Sequence, residues 1–221
     1  IINELSKNID GYRLSTYMYK DRVDRGGRLT MGPFWDYNLA YGNADYCEGG
    51  LTAGWEVDGD GGACGWNNPF WFERLLEDTL YQNRLKCRWE YLRDRSFHED
   101  SIFNFIDSIA LYLDDAQQRN FQKWDVLGTY IWPNFYIGNT YQDELIFIKT
   151  WLSGRLAWID NNIVGNCNPL INSDELINSS NNSRYLIKVT DILGRETKGK
   201  KNVPLFYIYN DGTVEKKITI D

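Results

Sequence analysis

Two aspartates are the residues best placed for chemistry. Asp36 stands between two aromatics in Gly32-Pro33-Phe34-Trp35-Asp36-Tyr37-Asn38. Aspartate is poor strand material and is rarely buried without a partner. In that setting it either holds structure through hydrogen bonds or faces something positive, a metal ion or a substrate group. Asp10 is the second acid. Between the two, Ser15 to Tyr19 alternates polar and aromatic, which is a strand signal. Lys20 to Gly27 is a charged turn ending in Gly26-Gly27, and Arg28 to Met31 is the returning strand. Residues 15 to 33 are therefore expected to form a hairpin, with Asp10 just before it and Asp36 just after it. A hairpin brings its ends together, so the two acids can face one space.

The elements that must position them belong to a folded protein. The chain has 221 residues, 43% of them hydrophobic, with nine tryptophans and fifteen tyrosines. That is enough for one or two cores and argues against disorder. The net charge of −7 and the scatter of basic residues give no nucleic-acid groove. No apolar run reaches transmembrane length. Ile1 has neither a start methionine nor a basic region before it, so the chain reads as a fragment whose beginning has been removed. The single histidine, His98, reads as a residue of a helix's first turn with no second histidine in the chain, and no close Cys-x-x-Cys pair exists for structural zinc. Cys47 and Cys64 flank a glycine-rich loop and can staple it as a disulfide. Cys87 lies in a helical pattern and reads as core.

Residues 3 to 14 read as a polar segment, helical or irregular. Asn68-Pro69 reads as a helix start, Asp78 as the cap of the next helix, and Ser96 with Glu99 as a capping box. Thr140 with Asp143 opens the last long helix. Residues 69 to 163 are thus expected to be a helical block, with Trp71, Trp89, Trp124, Trp151 and Trp158 as core and edge packing. Residues 164 to 183 are rich in Asn and Ser and read as a linker. Strands follow, with Asn210-Asp211-Gly212 as a tight hairpin turn. Their lysines alternate with acids, which fits a solvated sheet face.

The strings Asn8-Ile9-Asp10-Gly11-Tyr12-Arg13-Leu14-Ser15 and Met31-Gly32-Pro33-Phe34-Trp35-Asp36-Tyr37-Asn38-Leu39-Ala40-Tyr41-Gly42-Asn43 resemble the CotH (spore coat protein H) kinase family, over roughly residues 1 to 163. The resemblance implies an α+β fold. Residues 1–163 would be a protein-kinase-like C-terminal lobe, mainly helical with a β-hairpin at the site and without its N-terminal lobe. After the 164–183 linker, 184–221 would be a small β module. It implies ATP with Mg²⁺ or Mn²⁺, and phosphate transfer to a hydroxyl of a surface or secreted protein. Asp10 matches the catalytic-loop acid and Asp36 the metal-binding acid. Asn38 falls on the second polar position of that motif, where it would touch metal or phosphate. Ser15 stands where better-studied members carry an asparagine, five residues after the acid, and so takes that cofactor-binding place.

Gly194-Arg195-Glu196 through Tyr209-Asn210-Asp211-Gly212-Thr213-Val214-Glu215-Lys216-Lys217-Ile218 resembles the type IX secretion C-terminal sorting domain of Bacteroidetes. That likeness implies contact with export machinery and a location outside the cell or on its outer surface. The expected function is an atypical kinase, inactive as this fragment. The rival expectations are a secreted or cell-surface structural or binding protein with a degenerate kinase fold, and a carbohydrate-binding surface protein.

Overall fold

The structure is a computed structural model and describes residues 1–25, 27–58, 66–167, 185–191, 194–198, 201, 203–210 and 213–217. The chain divides into two compact units, Ile1–Cys167 and Asn168–Asp221. The first is mixed α and β, with most of its regular structure helical. It begins with a short helix, α1 (Ile2–Ser6), followed by the hairpin strands β1 (Met18–Lys20) and β2 (Leu29–Met31). Then come α2 (Trp71–Glu77), α3 (Thr79–Arg93), α4 (Glu99–Tyr112), α5 (Asp114–Lys123) and α6 (Tyr141–Asn162). The hairpin pairs Met18 with Met31 and Lys20 with Leu29, so its ladder lies further from Ser15 than the alternation alone predicts.

The core gathers on α6. Trp151, Leu152, Leu156 and Ile159 recur at helical spacing and pack with Trp89 of α3 and Leu5 of α1. Helix starts follow local chemistry where nothing competes for the capping side chain. Asp78 accepts the backbone N–H groups of Leu80 and Tyr81, and Thr140 with Asp143 forms a full capping box. Two expected starts differ. Asn68 donates its amide to the Glu56 and Val57 carbonyls, at 2.6 and 3.3 Å, and α2 begins at Trp71. Glu99 accepts from the Ser153 hydroxyl of α6 instead of closing a capping box with Ser96, and His98 is the cap residue. In both, a tertiary partner takes the group that the local motif needs. The tryptophans also divide. Trp89 and Trp151 are 2% and 4% exposed, but Trp71 and Trp124 are 41% and 59% exposed, so the last two are not core.

The polar run at the start is the unexpected part of the interior. Glu4, Ser6, Lys7 and Asn8 are all buried. Arg155 of α6 is completely buried and donates to the Glu4 carbonyl, the Glu4 carboxylate and the carbonyls of Thr52 and Gly54, at 2.7 to 3.2 Å. The Glu4 carboxylate also accepts the N–H groups of Glu56 and Val57. Buried charges persist only when paired and hydrogen-bonded, and here each is. Lys7 donates to the Glu48 carbonyl at 2.7 Å and lies 3.8 Å from Glu56. Burial lowers the Lys7 ammonium and pushes the Glu56 carboxyl up to about 7, so for both partners desolvation outweighs their attraction.

Cys87 is buried in α3, as its helical spacing predicts, and it has a partner that the spacing does not show. It forms a disulfide with Cys167 across a sequence separation of 80 residues. A loop of that size restricts the unfolded chain by about 4 kcal/mol in the chain-entropy account. Cys47 is also disulfide-bonded, and Cys64, its expected partner, lies outside the described residues.

The second unit is a three-stranded antiparallel sheet in the order β3 (Leu186–Thr190), β4 (Leu205–Tyr209), β5 (Val214–Lys217). Leu205 and Thr190 are its buried residues, and Lys217 pairs with Glu215 at 2.7 Å. Asp211 and Gly212 of the expected turn, and 168–183 of the expected linker, lie outside the described residues.

Arg155→Leu should destabilise the first unit by about 3–5 kcal/mol, because it strands the Glu4 carboxylate without its charge partner. Urea unfolding followed by tryptophan fluorescence measures this. A loss under about 1 kcal/mol would show that the guanidinium holds little. Glu56 yields a pH prediction. The folded state holds its proton more tightly than the unfolded chain, so its contribution is full below the ordinary carboxyl range and fades as pH rises through about 7. Glu56→Gln should remove that decline from a pH series of melting temperatures.

Candidate functional site

Asp10 is delivered by a tight turn that follows α1. Lys7 adopts left-handed backbone, φ 47°, and ends the helix. The Asn8 carbonyl then accepts the Gly11 N–H at 2.9 Å, and the Asn8 side-chain oxygen accepts the Asp10 N–H at 3.2 Å. The Asp10 carbonyl accepts from the N–H groups of Arg13, Leu14 and Ser15. The acid is therefore fixed by its backbone on both sides while its carboxylate is left for other partners.

Asp36 arrives from the other end of the hairpin. Gly32 N–H donates to the Tyr17 carbonyl at 3.0 Å and extends the hairpin past Met31. Asp36 itself sits at φ 65°, a left-handed position that aspartate enters more readily than most residues and that recurs at functional sites. The Ser15 hydroxyl donates to its carboxylate at 3.2 Å, and the Asn8 amide donates to its carbonyl at 3.4 Å. Asn3 repeats the pattern one residue along. Its amide donates to the Gly11 carbonyl at 2.6 Å, and its oxygen accepts the Tyr37 hydroxyl at 2.6 Å.

Burial raises the Asp10 carboxyl above its ordinary range, the charge of Asp36 adds to the rise, and Arg13 opposes it. Beside them, burial raises the Tyr46 phenol, followed by the charges of Asp10 and Asp45. The Tyr46 ring stacks on Trp132 at 6.1 Å between centroids. Asp10, Ser15 and Asp36 form one group. Asn38 is exposed, its carbonyl accepts from the Asn43 amide at 2.7 Å, and it does not join that group among the described contacts.

The donors here are carboxylate, hydroxyl and amide oxygens, which suit a hard divalent cation. Among the described residues no group of three or more His, Cys, Asp or Glu side chains is placed to hold an ion. Mg²⁺ fits such a sparse set, since it is commonly held by one or two carboxylates together with substrate phosphates and water. A cavity of about 1140 Å³ in the first unit reaches Ser15, with Tyr12, Met31, Trp35, Trp71 and Trp89 among its walls.

Sequence reasoning missed Asn3, Asn8 and Tyr46. Asn8 had a usable signal, since asparagine two residues before an aspartate-glycine pair is turn chemistry. Asn3 and Tyr46 had none. Asp36→Asn should lower the titration midpoint of Asp10 toward the ordinary carboxyl range, leaving the part due to burial. Carboxyl-carbon NMR across pH reads it, and an unmoved midpoint would mean that the acids do not interact.

The family model described as CotH kinase protein matches residues 1–159. No curated protein and no solved structure gives a match.

Proposed function

We propose, on the premise that this chain belongs to the CotH kinase protein family, that its acid pair serves phosphoryl transfer from ATP to a protein hydroxyl. The observation that carries this reading is the hydrogen bond at 3.2 Å from Ser15, in the turn that begins at Asp10, to the Asp36 carboxylate, which brings the two acid-bearing segments together beside the hairpin. The first unit is then a kinase-like C-terminal lobe. Asp36 would hold Mg²⁺ or Mn²⁺, which when bound neutralises charge on the phosphates. Ser15 keeps the Asp36 carboxylate turned toward the site through its hydroxyl. Asp10 accepts a hydrogen bond from the acceptor hydroxyl and takes its proton as the new oxygen–phosphorus bond forms and ADP leaves. A carboxyl raised above its ordinary range is the better base for that step.

A second reading is a binding module that keeps the fold without turnover, and the large aromatic-walled cavity favours it. Export belongs to the same proposal, with the C-terminal strands as the sorting element. Disulfides persist in oxidising compartments, and Cys87–Cys167 supports that location. Among the described residues no helix is long and apolar enough to cross a membrane.

Calorimetric titration of ATP with and without Mn²⁺, on the protein in its full natural length, tests the kinase reading. Metal-dependent binding is expected, lost in Asp36→Asn because a neutral amide cannot offset the metal's charge. Asp10→Asn should bind nearly as well while transfer falls by about 10²-fold or more. No metal-dependent binding in the wild type would leave the binding module as the reading that stands.

A further inference from the structure

We infer that Asn8 is a positioning residue that holds Asp10 and Asp36 in register, through one side-chain bond to the backbone of each. The inference rests on the kinase reading for its purpose but not for its geometry. Asn8 is 1% exposed, so its amide has no water to fall back on. Its oxygen accepts the Asp10 N–H at 3.2 Å and its nitrogen donates to the Asp36 carbonyl at 3.4 Å. A planar amide presents donor and acceptor on opposite corners, so one side chain can satisfy both segments at once. Apolar residues of this size cannot do so, and the buried Asn8 amide would itself be costly without these two partners.

The position of Asn8 in the chain strengthens the assignment. It lies one residue past Lys7, whose left-handed backbone redirects the chain from α1 into the Asp10 turn. The Asn8 carbonyl also closes that turn on Gly11, where a Cβ would come within 3.0 Å of the same carbonyl oxygen. Asn3 supplies a parallel bridge from Gly11 to Tyr37, each the residue after one of the acids. Two amides from one short segment therefore span the same gap. Asp36 keeps its side chain for Ser15 and for whatever the site binds, because its backbone is held by Asn8.

The test reads geometry and function separately. Asn8→Ser keeps a polar group too short to reach both segments. Its expected effect is a fall in the Asp10 titration midpoint, as the acids separate, together with at least a fivefold loss of Mn²⁺-dependent ATP affinity. A space-filling role alone would lower the melting temperature without moving that midpoint. Asn8→Asp provides a second route, and it is used also if Asn8→Ser fails to fold. Its carboxylate can accept from Asp10 but cannot donate to Asp36. Its nucleotide affinity should fall at least as far as that of Asn8→Ser. Tyr37→Phe, which removes only the Asn3 bridge, should shift the Asp10 midpoint in the same direction by less. An unmoved Asp10 midpoint in Asn8→Ser, or wild-type nucleotide affinity in Asn8→Asp, overturns the inference. If the wild type binds no nucleotide, the kinase reading fails, and the Asp10 midpoint still decides whether Asn8 holds the acids in place.

Discussion

A guanidinium with no access to water organises the first unit. Arg155 cannot lose its charge and presents donors in a fixed fork, so the fold must bring acceptors to it from several directions. It obtains them from the carbonyl and carboxylate of Glu4 and from the carbonyls of Thr52 and Gly54. α6, α1 and the 52–57 loop are thereby tied at one point. The aliphatic core of Leu152, Leu156 and Ile159 flanks that point on the same helix. Apolar burial has no directional requirement, whereas a buried charge needs its acceptors in fixed places, and this sets which geometry the unit can adopt.

From there the constraint passes along the chain to the acid pair. Glu4 anchors α1, Lys7 turns the backbone, Asn8 starts the next turn, and Asp10 emerges from it. The molecule thus uses its acids in two ways. Glu4 is spent on N–H groups and a guanidinium, and nothing of it remains for a ligand. Asp10 and Asp36 have their backbones satisfied by Asn8 and keep their carboxylates at the surface side of the same segment. A second constraint lies at Gly42, where a Cβ would fall 2.5 Å from the Trp151 ring, so the loop after Asp36 can approach α6 only because that residue has no side chain.

The parts of this structure that sequence discloses are those governed by local rules. The polar–aromatic alternation that ends at Tyr19 gives the hairpin, though its ladder begins only at Met18, and the chain on either side of it carries Asp10 and Asp36. Asp78 and the Thr140–Asp143 pair mark helix starts because their partners lie within four residues. What sequence conceals is the burial of polar groups. Glu4, Lys7 and Asn8 look like a solvent face until Arg155, far along the chain, supplies the charge that permits them inside. Glu99 and Asn68 carry cap-like signals and are claimed by Ser153 and the Glu56–Val57 backbone. Cys87 pairs with a residue outside its own helix, and its helical spacing conceals that partner. Each of these depends on a contact distant in sequence, and no local pattern encodes it.

The Cys87–Cys167 bond also has a mechanical meaning. A pull applied to the chain beyond Cys167 does not enter α6 from its end. It crosses the sulfur bridge and reaches α3 directly, leaving the intervening segment as a ring that carries no tension. With a separation of 80 residues, about 280 Å of extended chain is withheld from any stretch. The load then runs through α3 and back along the chain toward the hairpin, while α4, α5 and α6 remain slack. Whatever drags on the C-terminal end of this protein meets a short tether, and Arg155 lies inside the slack ring while its partners Glu4, Thr52 and Gly54 lie on the loaded side of it.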